Sequence, residues 1–254
     1  MAFLVLMLPK LDQDALPPLE NAPARQVFSD GSGKKKNAIA LSPKQQKAVY
    51  YSTVTFAEES VPLDAPEVEA KFEKYLANFS FPKQQSYDLH KKAVKHLPKI
   101  ASILQLYGVP EDFKYVPLIE SDMDPATLSH KGAGGYWQFM PATARLYGLK
   151  VDGEVDERTD LVKSTHAAAR YLKNLYAEFE DWTLVAAAYN LGGSRLRTTI
   201  LRQGTDDYYR LRLNPETAAY VYKLVSVKQV IENPNKHGYK RYAKTEDKYR
   251  EHLL

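Results

Sequence analysis

The stretch LIESDMDPATLSHKGAGGYWQFMPATA, residues 118–144, decides how the rest of the chain is read. Pro117-Leu118-Ile119 is a short apolar turn whose proline suits the first helical position, and Pro125 disfavours helix at Asp124. Glu120 is therefore expected at the exit of a short buried helix. There the partial negative charge of the helix end and the apolar neighbours favour the proton-bound carboxyl, the form of a general acid. A lone glutamate after Leu-Ile is more often a surface helix residue, so the neighbourhood has to carry the reading. Gly132, Gly134 and Gly135 predict a turn that lets backbone approach a ligand closely. Tyr136-Trp137-Gln138 then offers stacking surface beside an amide that both donates and accepts.

Downstream, Asp181 is placed to cap a helix over 182–190 that Gly192-Gly193 ends, leaving Tyr189 and Asn190 at a second helix exit. Asn214-Pro215-Glu216 starts a helix running through Ile231. Asp160 or Ser164 caps the helix containing Ala167-Ala168-Ala169, whose small face allows close helix packing. Upstream, Leu89, Val94, Leu97, Ile100, Leu104 and Tyr107 fall near helical spacing, with Pro98 expected to kink or divide the helix. Strand signals after residue 66 are nearly absent. The prediction is a mainly α domain over residues 66–240, preceded by an arm, 1–65, and followed by a charged tail, 241–254. Within the arm, residues 2–8 form a short apolar run that could be the remnant of a signal segment, and 49–54 could form a local strand.

The 254 residues carry a formal charge of +4, which permits a polyanionic partner without requiring one. Cysteine is absent, which removes disulfides, thiol nucleophiles and Cys-ligated metals from consideration. The six histidines are scattered with no ligand spacing, and GSGKKK at 31–36 has the wrong spacing for a phosphate-binding loop. Basic residues are not concentrated on one helix, so nucleic acid is not expected as a partner. The expectation is a protein without cofactor or metal.

ESDMDP, SHKGAGGYWQFMPATA, AAAYNLGG and ETAAYV, in that order, resemble the catalytic domain of the SLT-type lytic transglycosylases, a lysozyme-like family that cleaves peptidoglycan. The resemblance covers residues 95 to 235. It implies a lysozyme-like helical fold with a catalytic cleft, and peptidoglycan glycan strands as substrate. It also implies a periplasmic or envelope location, with peripheral association at the cell envelope, and action as a monomer. Carried over by position, Glu120 would be the sole acid/base and Ser121 would help hold its helix end. Ser129 and Gln138 would hydrogen-bond the glycan and Met140 would pack beside a sugar. Tyr189 and Asn190 would shape the reacting subsite, with Glu216 and Tyr220 at its far wall. The implied reaction leaves a 1,6-anhydromuramic end. Hydrolysis by a goose-type lysozyme and glycan binding without turnover are the alternatives. Asp122 and Asp124 are candidate second carboxylates for hydrolysis, although both positions suit turn chemistry better. Tyr136, Asp122-Met123 and Leu191-Gly192-Gly193 depart from the residues frequent in the family.

Overall fold

The structure is a computed structural model and describes residues 41–240; the apolar run at 2–8, GSGKKK and the tail 241–254 lie outside the described residues. Among the described residues ten α-helices follow one another: α1 Pro43–Tyr51, α2 Pro66–Phe79, α3 Phe81–Gln84, α4 Asp88–Leu106, α5 Val116–Glu120, α6 Pro141–Leu146, α7 Leu161–Phe179, α8 Trp182–Leu191, α9 Gly193–Gln203 and α10 Thr217–Glu232. A two-stranded antiparallel ladder, β1 Thr55–Phe56 and β2 Glu59–Ser60, is the only named sheet among the described residues. The domain is mainly helical, as the sequence predicts.

Helix α10 is the axis. Twelve of its sixteen residues are buried, and a helix apolar around most of its circumference has to be surrounded. It packs against α2 and α8, and α8 in turn against α7, where Ala167-Ala168-Ala169 and Ala186-Ala187-Ala188 are all fully buried and let the backbones close up. The caps fall where side-chain chemistry puts them. Asp160 accepts from Lys163 N at 2.9 Å at the start of α7, and Asp181 accepts from Leu184 N at 2.7 Å at the start of α8.

Three expectations are corrected. First, the arm does not extend to residue 65: Val54, Phe56, Val61 and Leu63 lie in the hydrophobic core, the Phe56 ring 5.3 Å from that of Phe113. Ala57 and Glu58, both with positive φ, reverse the chain between β1 and β2, and Ala57 N donates to the buried Asp112 at 2.7 Å. Second, residues 49–51 are the last turn of α1 and not a strand, because Pro43 at the helix start and the good helix formers after it win over local β propensity. Third, of the kink or division expected at Pro98, division does not occur: α4 runs through it as one helix. Pro98 is exposed, so the carbonyl it deprives of a partner faces water. The buried face of α4 is His90, Ala93, Leu97, Ile100, Ile103 and Leu104, with Val94 exposed.

Candidate active site

Helix α5 is five residues long and ends at Glu120. It stops because Asp122 and Met123 both take positive φ, of 53° and 58°, a pair of left-handed residues that costs on the order of 1 kcal/mol each. Met123 N and Ser121 N both return to the Pro117 carbonyl at 3.1 Å, closing the helix end. Buried Ser121 lies within hydrogen-bond distance of two carbonyls through its hydroxyl, Pro117 at 3.0 Å and Tyr136 at 2.9 Å, and so ties the helix end to the Gly-aromatic turn.

Glu120 is half-buried, and its Oε1 accepts a hydrogen bond from the Tyr220 hydroxyl at 2.6 Å. Tyr220 is itself buried on α10, one turn beyond Glu216. Burial pushes the Glu120 carboxyl up to about 7. The Tyr220 hydroxyl opposes that rise, the Glu216 charge adds to it, and Lys223 opposes it again. Burial and the nearby Glu120 charge hold the Tyr220 and Tyr189 phenols well above their ordinary range, so both remain hydroxyl donors at neutral pH.

Tyr189 donates to the Trp137 carbonyl at 2.6 Å, joining the α8 exit to the turn. Asn190 Nδ2 donates to Glu216 Oε1 at 3.2 Å and Asn190 Oδ1 accepts from Thr217 Oγ1 at 2.7 Å. Asn214 closes the set: its Oδ1 accepts from Glu216 N and Thr217 N at 3.0 Å each, and its Nδ2 donates to Thr217 Oγ1 at 2.9 Å. Glu120, Ser121, Gln138, Tyr189, Asn190, Glu216 and Tyr220 thus belong to one linked assembly from α5, the turn, α8 and α10.

The turn is built differently from its sequence expectation. Gly134 and Gly135 make room for Arg158, while Gly132, at φ +86°, has open space around it. A Cβ on Gly135, at φ +73°, would lie 2.0 Å from the Arg158 carbonyl oxygen, and one on Gly134 would lie 2.9 Å from the guanidinium carbon. Arg158 is buried, donates to the Gly132 and Phe139 carbonyls at 2.7 and 2.8 Å, and is neutralised by Asp156. Trp137 is fully buried with its indole N–H on Thr165 Oγ1 at 3.0 Å, so it is core and offers no stacking face. Gln138, held at φ +49°, spends its side-chain N–H groups on the Thr127 and Gly135 carbonyls, both at 2.9 Å. Ser129 Oγ accepts from Ala133 N at 2.9 Å, inside the turn, and Met140 is exposed at its edge; no hydrogen bond joins either to Glu120. Asp122 is ion-paired at the surface with Lys92 of α4, and Asp124 Oδ1 accepts from Ala126 N at 2.9 Å within its own turn. Among the described residues no group of three His, Asp or Glu side chains could hold a metal ion.

Sequence reasoning missed the clamp role of Arg158, although three glycines before an aromatic could have signalled a buried partner. It also missed Lys223, which faces Glu120 from α10 and carries no motif signal.

Residues 100–211 match the Transglycosylase SLT domain family. The chain is 32% identical over 191 residues to membrane-bound lytic murein transglycosylase D of Escherichia coli (strain K12), which covers 72% of this chain and 41% of that relative. It is 40% identical over 92 residues to peptidoglycan transglycosylase gp16 of Escherichia phage T7, covering 35% of this chain and 7% of the relative. The chain therefore spans about two fifths of the length of the Escherichia coli enzyme.

Proposed function

We propose, from the match of residues 100–211 to the Transglycosylase SLT domain family, that this chain cleaves the β-1,4 bond between N-acetylmuramic acid and N-acetylglucosamine in peptidoglycan and forms a 1,6-anhydromuramic end. The observation that carries the proposal is Glu120: a half-buried carboxyl that keeps its proton up to about pH 7, at the end of a rigid helix and bonded to Tyr220. Such a group gives a proton at neutral pH and, once ionised, takes one back.

In the first step Glu120 protonates the glycosidic oxygen as the bond to the muramyl C1 breaks, and the substrate's 2-acetamido group stabilises the positive charge at C1. Tyr220 donates to the resulting Glu120 carboxylate. In the second step the muramyl C6 hydroxyl attacks C1 and its proton goes to Glu120, which restores the starting acid. No water is consumed. Ordinary glycosidases divide these tasks between two carboxylates. Here Asp122 is paired with Lys92, Asp124 is held in a turn contact, and Glu216 is engaged by Asn190. A preplaced C6 hydroxyl competes well against loosely held water. Tyr189 and Asn190 shape the reacting subsite, with Ser129, Gln138 and Met140 toward the glycan. The relatives' names place their substrate in the cell wall, so this chain would act at the cell envelope; among the described residues no helix is long and apolar enough to cross a membrane.

The test is digestion of purified peptidoglycan with the wild-type chain and with Glu120→Gln, followed by mass spectrometry of the product ends. Anhydro ends lost in the variant are expected. Reducing ends would replace this reading with hydrolysis, and no cleavage by the wild type would replace it with glycan binding alone.

A further inference from the structure

A groove of about 460 Å³ runs beside the proposed cleft, lined by α9 and the return segment that leads into α10. Arg195, Thr198, Thr199 and Arg202 stand at i, i+3, i+4 and i+7 on one face of α9, while Leu196 turns the other face into the core. Arg212 comes from the return segment. Its position is fixed to the end of α9 by two hydrogen bonds, Arg212 N to Gln203 Oε1 and Gln203 Nε2 to the Arg212 carbonyl, both 2.9 Å. The groove thus presents three exposed arginines and no carboxylate. None of the three arginines has a salt-bridge partner among the described residues, whereas Arg158 and Arg197 are both paired with acids. The concavity beside Glu59 on another part of the surface has the opposite character, with Glu180, Asp181, Asp206 and Asp207 along its walls. The positive groove is therefore a local arrangement and not a general property of the surface.

Its position relates it to Glu120. Leu191, at one rim, directly follows Asn190, and Asn214, at the other, is joined to Asn190 through Thr217 Oγ1 by hydrogen bonds of 2.9 and 2.7 Å. An anion seated on the arginines would lie one short step from the wall of the reacting subsite. A peptidoglycan strand carries its anionic groups on the short peptide attached to the muramyl lactyl group, not on the sugars' hydroxyl edges. Guanidinium forks match carboxylates in bidentate geometry, and the cavity size suits a few residues of extended peptide.

We infer that this arginine-lined groove is a subsite for the carboxylates of the peptide stem, so that the chain selects peptide-bearing glycan over bare glycan. The inference rests on the proposed peptidoglycan substrate and extends it. Binding is measured in a Glu120→Gln background, which needs no turnover, by co-sedimentation with sacculi freed of phosphate polymer. Half of the sacculi are digested with an amidase, and the soluble glycan strands released, their newly freed lactyl carboxyls capped as amides, serve as the peptide-free ligand in calorimetric titrations. Each exposed charge contact contributes modestly, so Arg195→Gln, Arg202→Gln and Arg212→Gln together are expected to weaken binding to peptide-bearing sacculi about tenfold, with the loss shrinking at high salt. Binding to the capped, peptide-free strands should stay within twofold. Arg210→Gln, an exposed arginine outside the groove, should leave both unchanged. Equal loss on both polymers, or no loss on either, overturns the inference. So does a loss that appears only with sacculi still bearing a phosphodiester polymer. Failure of the background protein to bind any sacculi would overturn the substrate reading as well, and that outcome is distinguishable from a peptide-independent interaction.

Discussion

Two tyrosine–glutamate hydrogen bonds join the same two segments of this molecule, and the pairs cross. Tyr220 of α10 donates to Glu120 of α5 at 2.6 Å, and Tyr115, just ahead of α5, donates to Glu232 at the end of α10 at 3.0 Å. The same two segments exchange donor and acceptor at both ends, which stitches α5 to α10. Burial raises both carboxyls. What differs is the charge around them. Glu232 lies among Lys228, Lys114 and Asp112, with Lys228 bridged to Asp112 at 2.6 Å, so two cations work against the rise that burial causes. Glu120 has the like charge of Glu216 on one side and Lys223 on the other, with burial dominating both. A buried carboxylate among ammonium groups is a structural joint. One beside a second carboxylate, at a helix exit, is available for proton transfer.

Replacing each glutamate in turn breaks the comparison most directly. Glu120→Gln should lower the cleavage rate by about three orders of magnitude or more, whereas Glu232→Gln should leave it within a few fold, measured as soluble products released from peptidoglycan. Equal losses would show that the two carboxyls are not functionally distinct.

A second break works through the turn. Gly135→Ala drives a Cβ into the Arg158 carbonyl at a left-handed φ, and Tyr136, the next residue, holds Ser121 at the end of α5. We expect a stability loss of about 3 kcal/mol, read from denaturant midpoints. Alanine at Gly153, which has open space and no left-handed φ, should cost far less.

Stability against pH separates the joints further. Glu120 binds its proton more tightly in the folded than in the unfolded chain. The folded state therefore holds more protons between about pH 4.5 and about 7, and the contribution of this residue to stability is lost as pH rises through that window. Glu120→Gln should remove that slope, leaving the variant more stable than wild type at pH 8 by on the order of 1–3 kcal/mol in thermal melts. A wild-type protein whose stability did not fall from pH 5 to pH 8 relative to this variant would contradict a raised Glu120.

The smallest effects tune the same acid. Glu216→Gln removes a like charge and should shift the alkaline limb of the rate profile downward by a few tenths of a pH unit. Tyr220→Phe removes a donor to the carboxylate and should shift it upward. Tyr115→Phe, the mirror substitution, should leave the profile in place and cost about 1 kcal/mol of stability.

Legibility in the sequence followed how local the cause was. The helix ends at Glu120, Tyr189-Asn190 and Asn214 were readable because proline, glycine, Asp and Asn act within a few residues of themselves. The boundary at residue 65 was not, because the apolar residues at 54–63 are too few to show a period and are recruited by α10 and the segment around Phe113. Gly134 and Gly135 of the turn are visible in the sequence, but the neighbour they accommodate is not. Their sequence says that side chains are excluded there, and only the structure says that Arg158 is what excludes them.

The sequence by itself determined a mainly helical domain, a carboxyl at an abrupt helix exit and a set of polar residues at other exits, since each depends on short-range sterics and hydrogen bonding. The tertiary structure decided which of those groups meet. Residues a hundred positions apart, Glu120 and Tyr220, become partners only because α10 is threaded through the core. The electric environment that distinguishes Glu120 from Glu232, and the alignment of Arg195, Arg202 and Arg212 around one groove, arise at that same level, because charge acts through space and not along the chain.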